Sequence, residues 1–161
     1  MTEEAFASAV KRNSQRLYLI ALSFVKSTYD AEDILQNVFI KLWNYPKPFS
    51  DETHLDKWLT VVCVNESKNC LKYPFWRNDN AEDFVFDSSD DMDSAEKSDL
   101  YNAVMQLPKK ERAVIHLFYY EDLSVKDIAK MLKMKEAAVK TRLNRARNKL
   151  KERLGDAWIN E

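Results

Sequence analysis

Glycine is almost absent from this chain of 161 residues, in which Gly155 is the single example. Glycine-rich phosphate-binding loops, such as the dinucleotide fingerprint and the P-loop, need several glycines because their backbone closely approaches the ligand. The tight hairpin turns of all-β folds also depend on glycine. The chain is therefore expected to be mostly α-helical, and nucleotide-dependent Rossmann or kinase chemistry is not expected.

The sequence also indicates where the protein works and which ligands it lacks. No run of about 18 apolar residues occurs, and residues 1–4 are acidic where a secretory signal is basic, so we expect a cytoplasmic protein. Cys63 and Cys70 would lie about 10 Å apart on a helix, too far for a disulfide, and are expected to be reduced. His54 and His116 are far apart in the sequence, so neither a metal site nor a cofactor is expected.

The formal net charge of −1 conceals an uneven distribution of charge. Residues 1–75 carry nine basic and nine acidic side chains, residues 76–98 carry two and eight, and residues 99–161 carry fourteen and nine. Nine basic and only two acidic residues fall within 133–153. This local surplus is typical of a protein that binds a polyanion, although a solvated lysine-rich helix face gives the same count.

The acidic middle segment predicts the domain organisation. Residues 76–98 are rich in Asp and Ser and poor in aliphatic residues, a composition that favours a flexible linker. Pro74 ends the helical pattern before it, because the residue that precedes a proline is driven out of the α region. We therefore predict an all-α chain of two small helical domains, residues 1–75 and 99–161, joined by an acidic flexible linker.

Three amphipathic segments are predicted within the first domain. Thr2 is the expected N-cap of the first, and the prolines within 45–48 end the second. The third, 55–71, is assigned as a helix by its length, although its β-branched run 61–64 also suits a strand. The expected core positions are Phe6, Val10, Leu17, Ala21 and Phe24 in the first segment and Ala31, Ile34, Leu35, Val38, Leu42, Phe39 and Trp43 in the second.

The second domain carries the pattern of a helix-turn-helix, after two amphipathic pieces separated by Pro108. Ser124, with Asp127 three residues later, predicts a capped helix over 125–132. A second helix, from about residue 137 to 154, follows a short connection. Its apolar residues step by four, three, four and four, which predicts one buried stripe of Val139, Leu143, Ala146, Leu150 and Leu154.

The opposite face of this last helix is polar, and a helix in this position enters the major groove of DNA. A plain three-helix bundle with a basic surface is the alternative, since helical hairpins are common. We predict base-edge contacts for Lys140, Thr141, Asn144 and Arg145, phosphate contacts for Lys126, Lys135, Arg142 and Arg147, and a place in the same DNA-binding set for Glu136 and Asn148.

Several stretches resemble the extracytoplasmic function (ECF) sigma factors of the bacterial sigma-70 family. Residues 30–43, DAEDILQNVFIKLW, are similar to the family's second conserved region, which docks on core RNA polymerase. Phe49, Trp58 and Asn65 repeat the family's spacing for the segment that captures and opens the promoter's minus-ten element. A third set of residues resembles the family's fourth conserved region, which reads the minus-35 element. These residues are Leu107, Pro108, Arg112, Ile128, Ala129, 139–143 and 145–147.

The resemblance implies a sigma factor that binds core RNA polymerase and promoter DNA and directs transcription initiation. Region 2 would lie in 1–75 and region 4 in 99–161. An anti-sigma partner is also implied, with neither enzyme activity nor a small-molecule substrate. The alternative is a stand-alone helix-turn-helix regulator or a sigma-like decoy that binds a partner protein. The implied contacts are Asp30, Asp33, Gln36 and Asn37 for polymerase and Phe49, His54, Lys57, Trp58 and Asn65 for the minus-ten element, although Phe49 and Trp58 equally suit a core.

The sequence departs from the family pattern at three places. Lys133 replaces the usual turn glycine, and because a left-handed lysine costs about 1 kcal/mol, a reshaped turn is expected. Ala137 and Ala138 replace a Gly-Thr pair, which removes a possible capping hydroxyl. Residues 72–77 replace an arginine-rich run, which predicts that the upstream duplex contacts are either weaker or aromatic. We also hypothesise that the acidic linker competes with DNA for the basic helix.

Overall fold

The computed structural model describes residues 1–71 and 99–155, and these residues form seven α-helices and a π-helical turn with no β-strand. The all-α prediction is therefore confirmed. The chain divides into two compact units, Met1–Lys72 and Tyr73–Glu161. The expected linker at 76–98, together with Pro74 and the substituted run at 72–77, lies outside the described residues.

The first unit contains three helices: α1, Glu3–Val25; α2, Thr28–Asn44; and α3, Glu52–Leu71. The predicted cap at Thr2 is confirmed, because its Oγ1 accepts a hydrogen bond of 3.0 Å from the backbone N–H of Ala5. Lys26 ends α1 in the left-handed region, and Ser27 then caps α2 by accepting from Asp30 N at 3.2 Å. The helix assigned over 55–71 is confirmed and begins three residues earlier, so the strand alternative is wrong.

The three helices pack against one another around a single apolar core. The prediction of which α2 residues lie in that core is only partly correct. Trp43 is 47% exposed, and Leu35 and Phe39 are half-buried. These three residues lie outside the part of α2 that the neighbouring helices cover, because a helix buries one stripe and not its whole circumference. The α2 residues that are fully in the core are Ala31, Ile34, Val38 and Leu42.

The second unit contains α4, Asp99–Met105; α5, Lys109–Ile115; α6, Val125–Leu132; and α7, Glu136–Leu154. Five residues of π-helix, His116–Tyr120, continue directly from α5. Helix α7 packs on α4, α5 and α6, and its apolar stripe supplies the centre of this core. Val139, Leu143, Ala146 and Leu150 are buried as predicted, whereas Leu154 at the helix end is half-buried.

The turn between α6 and α7 keeps a left-handed residue despite the loss of glycine. Lys133 has φ 56° and ψ 46°, and its backbone N–H donates to the carbonyl of Ala129. The N–H of Met134 donates to the same carbonyl at 2.9 Å. These two bonds satisfy the end of α6, so the backbone stays in the glycine-type conformation. The expectation of a reshaped turn is wrong.

Candidate polymerase and promoter interfaces

Helix α7 presents a continuous polar face opposite its buried stripe. The predicted base-edge residues on it, Lys140, Thr141, Asn144 and Arg145, are all exposed, and Asn148 continues the same face one turn later. The Thr141 hydroxyl donates to the carbonyl of Ala137 at 3.0 Å, which fixes the rotamer of that side chain and leaves its oxygen able to accept. The face thus offers cationic, amide and hydroxyl groups, the set that reads base edges in a major groove.

The residues predicted to contact phosphate differ from one another in exposure. Lys126 on α6 and Lys135 before α7 are exposed, as is Glu136 in the first turn of α7. Arg142 is half-buried and already engaged with neighbouring groups of the protein. An acidic residue in the first turn suits the positive end of the helix dipole, so Glu136 stabilises α7 itself.

Arg147, predicted from the sequence to contact phosphate, is bonded to other groups of the protein. Its Nε donates to the Tyr119 hydroxyl at 2.8 Å, and its Nη1 donates to Asn144 Oδ1 at 3.3 Å. The guanidinium carbon lies 5.5 Å from the centroid of the Phe118 ring and 5.6 Å from that of Tyr119, within cation–π range. The side chain therefore joins α7 to the π-helical turn.

A second polar face lies on α2, where the polymerase contacts are expected. Asp33, Gln36 and Asn37 are exposed on adjacent turns, and Asp30 is half-buried in the first turn. The backbone N–H of Asp30 is held by the Ser27 cap. The structure thus brings the four residues together along one side of a single rigid helix.

An apolar groove borders this α2 face and was not predicted. It encloses about 680 Å³ between α1 and α2, and Gln36 is in its wall. The centroid of the Phe6 ring lies 5.1 Å from that of Trp43 and 6.4 Å from that of Phe39. Ile40, which is 58% exposed, extends the apolar surface. The residues that the sequence assigned to the core thus form an accessible surface beside the polar one.

Three of the expected minus-ten residues, Phe49, His54 and Trp58, form a cluster of rings with Tyr45 at the start of α3. We call these four residues the aromatic cluster. The Tyr45 ring stacks on Phe49 at 5.3 Å and lies 4.7 Å from Trp58, and the Phe49 ring is 5.1 Å from His54. Phe49 and Trp58 are half-buried, so each ring both supports the loop and keeps an accessible edge.

The two remaining minus-ten candidates are not members of the aromatic cluster. Lys57 and Asn65 are exposed on α3. Asn65 is seven residues beyond Trp58, which places it on the same side of the helix about 10 Å further along. Strand capture by these residues would therefore follow the length of α3.

Hydrogen bonds fix His54 at the start of α3. The Ser50 backbone N–H donates to His54 Nδ1 at 3.1 Å, and the backbone N–H of His54 donates to Asp51 Oδ1 at 2.8 Å. Because Nδ1 accepts, the neutral ring carries its proton on Nε2. His54, which is exposed, can thus donate a hydrogen bond toward solvent or a nucleic acid base.

A polar network beneath the aromatic cluster joins α1 to α3. Asp56 Oδ1 accepts from Arg12 at 2.9 Å and from the fully buried Asn13 at 3.1 Å. Arg16 donates to the Asp56 carbonyl at 2.8 Å and to the Thr60 hydroxyl at 2.7 Å. Asn13 and Thr60 are the buried members of this network, and buried polar groups whose hydrogen bonds are satisfied favour one packing arrangement. The network therefore fixes the register of α3, and with it the positions of His54, Lys57 and Trp58.

The carboxyl of Asp56 is held in its ionised form. Burial alone raises its pKa, but the hydrogen bonds from Arg12 and Asn13 and the charges of Arg12 and Arg16 outweigh this effect. The pKa of Asp56 consequently lies below its ordinary value.

Three charged or titratable residues have structural roles that sequence reasoning did not find. Arg112, assigned only by resemblance, is fully buried and donates to the Leu107 carbonyl at 2.9 Å. Glu111 is buried and forms a 2.8 Å ion pair with Lys149. His116 is buried in the π-helical turn, where its ring stacks on Tyr120 at 4.9 Å. In the sequence, the only sign of these roles is that the three residues lie within amphipathic segments. That pattern does not show whether a charged or titratable side chain is buried or solvated.

The described residues contain neither a cluster of three or more His, Cys, Asp or Glu side chains suited to a metal nor a helix long and apolar enough to cross a membrane. Of the two cysteines, Cys63 is buried and Cys70 exposed, and no disulfide joins them.

Comparison with known proteins assigns both units. Residues 9–74 match the model of Sigma-70 region 2, and residues 97–150 match that of Sigma-70, region 4. The chain belongs to the sigma-70 family. Curated relatives place it in the ECF group, as the resemblance implied. The chain is thus an RNA polymerase sigma factor, a transcription initiation factor whose partners are core RNA polymerase and promoter DNA.

The relatives of this sigma factor are distant but span its length. It is 27% identical to the RNA polymerase sigma-H factor of Pseudomonas aeruginosa, over 94% of this chain and 87% of that protein. It is also 27% identical to the ECF RNA polymerase sigma factor SigW of Bacillus subtilis, over 96% and 91% of the two chains.

A solved structure shares the fold. The sigma factor RpoE of Bartonella quintana, in complex with the anti-sigma factor NepR, matches with a TM-score of 0.66 and 23% identity, over 96% of this chain and 99% of that one. At this level of identity, the match shows the fold alone.

Proposed function

We propose that the two units of this sigma factor divide promoter recognition between them. The first unit binds core polymerase through α2 and captures the opened minus-ten element along α3, and the second reads the minus-35 element with α7. The observation that carries the proposal is the polar face of α7, on which Lys140, Thr141, Asn144 and Arg145 are exposed opposite a stripe that is buried from Val139 to Leu150.

The geometry of the second unit supports duplex reading. Helix α7 is anchored near its start by Val139, and the left-handed turn at Lys133 leads directly into its N-terminus. The N-terminal half of a recognition helix is the part that enters the groove. Exposed Lys126 and Lys135 flank that half and supply charge that neutralises phosphates.

The surface of the first unit supports two different contacts. Aromatic rings with accessible edges, together with amide and imidazole donors, bind unstacked bases of a single strand, as on the aromatic cluster and α3. On α2, the exposed polar residues and the apolar groove beside them combine in the way that protein–protein interfaces do. We infer that polymerase covers the groove as well as Asp30, Asp33, Gln36 and Asn37.

Reconstituted transcription tests the proposal. Bacterial core polymerase with the purified protein is expected to initiate from a subset of a promoter library, and sequencing the RNA 5′ ends identifies both elements. A Gln36→Ala/Asn37→Ala variant is expected to co-elute less with core polymerase, whereas Lys11→Ala, an exposed change on α1, leaves co-elution unchanged. Initiation that does not depend on the protein would refute the proposal.

We further propose that the protein works in the cytoplasm without chemistry of its own and is held inactive by an anti-sigma factor. Support for the last point comes from the Bartonella quintana sigma factor, which was solved with its anti-sigma factor NepR. An anti-sigma factor that covered the α2 surface would block polymerase. Competition between core polymerase and a candidate anti-sigma factor for the purified protein measures this directly.

A further inference from the structure

We propose that Tyr119 and Arg147 are positioning residues that fix the amide orientation of Asn144 and thereby set which base Asn144 selects. The proposal rests on the proposed function, because it takes α7 to lie in the major groove of the minus-35 element. It adds a determinant, Tyr119, that lies outside the helix-turn-helix.

The geometry is a short chain of donors and acceptors. Tyr119 lies in the π-helical turn, 28 residues before Arg147, and its hydroxyl accepts from Arg147 Nε at 2.8 Å. The same guanidinium lies over the Phe118 and Tyr119 rings, so it is held both at its edge and on its face. Its Nη1 then reaches Asn144 Oδ1 at 3.3 Å.

Chemistry decides which way the Asn144 amide points. Arginine has five N–H donors and no acceptor, so the Asn144 atom that faces it must be the carbonyl oxygen Oδ1. The Nδ2 group, which only donates, is then directed away from Arg147. Asn144 is exposed on the polar face of α7, so in the proposed complex with DNA this donor is accessible to the bases.

A directed donor selects a different base from a freely rotating amide. A free asparagine makes a bidentate contact with adenine, donating to N7 and accepting from N6. The bond from Arg147 occupies one lone pair of Oδ1 and turns that oxygen toward the arginine, so the Nδ2 donor is the part of the amide that meets the base. A donor presented in this way is best matched by the two acceptors of guanine, N7 and O6. The wild-type protein is therefore expected to prefer guanine over adenine at the base pair that Asn144 reads.

Promoter selection by holoenzyme measures this preference. Core polymerase carrying wild-type or variant protein transcribes a promoter pool that is randomised across the minus-35 element, and the base preferences are read from the transcripts. Asn144→Ala identifies the base pair that Asn144 reads, because preference there is lost. Tyr119→Phe removes only a hydroxyl and is expected to lower the guanine-to-adenine ratio at that base pair about two- to ten-fold, the effect of one hydrogen bond.

Two further variants separate positioning from other roles. Tyr120→Phe removes the neighbouring hydroxyl and is expected to leave all preferences unchanged. Arg147→Lys retains the charge but loses the planar fork, so it is expected to shift the same ratio as Tyr119→Phe. If Arg147 contacts phosphate, the lysine would instead preserve every preference.

The outcomes are distinct. A wild-type preference for adenine at that base pair, an unchanged ratio in Tyr119→Phe, or a uniform loss of transcription across the pool would overturn the positioning role. No lost preference in Asn144→Ala would overturn it too. Failure of the proposed function looks different, since wild-type holoenzyme would then show no base preference anywhere in the minus-35 element.

Discussion

Arg145 is the residue whose replacement most directly tests base reading. Its side chain is exposed at the middle of the polar face of α7. We expect Arg145→Ala to weaken binding to the minus-35 duplex by about 1 to 3 kcal/mol and to relax base choice at one position, the effect of losing a bidentate contact. Fluorescence anisotropy on cognate and random duplexes measures both effects. Equal losses on the two duplexes would instead identify a phosphate contact.

His116 makes the stability of the second unit depend on pH. Burial lowers the pKa of His116 to about 4, and its Nε2 has no hydrogen-bond partner within the described residues. The unfolded chain, with an ordinary histidine pKa of about 6.5, binds a proton at a pH where the folded state does not. Stability is therefore full above about pH 7 and falls as the pH is lowered toward 4, by roughly 3 kcal/mol.

The substitution His116→Gln removes this titration. We expect the variant to lose less unfolding free energy than wild type between pH 7 and pH 4, as measured by urea denaturation followed by circular dichroism. Identical slopes for the two proteins would show that His116 is not the source of the pH dependence.

At the scale of an element, the turn before α7 retains measurable strain. Lys133 adopts φ 56°, a conformation that costs a residue with a Cβ about 1 kcal/mol relative to glycine. We expect Lys133→Gly to stabilise the protein by about that amount in thermal or urea unfolding. Lys130→Gly is the matched control, because the same change inside α6 is expected to destabilise by about 1 kcal/mol. Destabilisation by Lys133→Gly would contradict the strain argument.

Substitutions on α2 beside the groove can distinguish a residue that stabilises the fold from one that binds polymerase. Trp43 is 47% exposed whereas Leu42, the preceding residue, is 1% exposed. We expect Trp43→Ala to cost roughly 1 to 2 kcal/mol of stability and to weaken co-elution with core polymerase strongly. By comparison, Leu42→Ala is expected to cost about 2 to 5 kcal/mol. Unchanged polymerase binding in Trp43→Ala would exclude the groove from that interface.

For the whole molecule, the charge distribution predicts autoinhibition. Residues 76–98 carry eight acidic and two basic side chains, and 133–153 carry nine basic and two acidic ones. We expect replacement of the segment's aspartates by asparagine to tighten binding of the full chain to free duplex at low salt, and the difference to fade as salt rises. The aspartates are Asp79, Asp83, Asp87, Asp90, Asp91 and Asp93.

The same binding titration includes its control. A Ser88→Ala/Ser89→Ala variant changes the segment without changing its charge and is expected to bind as wild type does. If the aspartate replacements leave affinity for free duplex unchanged at low salt, the segment does not compete with DNA.

The sequence by itself determined the positions of the main helices, the caps at Thr2 and Ser124, and the two stretches that carry the sigma-70 pattern. The spacing of Val139, Leu143, Ala146 and Leu150 already placed Lys140, Thr141, Asn144 and Arg145 on the exposed side, because helical periodicity is local. The burial of the charged Arg112 and the exposure of Trp43 could not be predicted in this way. Both depend on how much of a helix its neighbours cover.

Only the tertiary structure decided the contacts between residues far apart in the chain. The bond from Arg147 to Tyr119 spans 28 residues, and those from Arg12 and Asn13 to Asp56 span more than 40. Such pairs leave no periodic trace in the sequence, since each partner is equally compatible with a solvated helix face. They form where the packing of apolar stripes brings two polar groups within hydrogen-bonding distance. That packing holds the residues that we propose read the promoter.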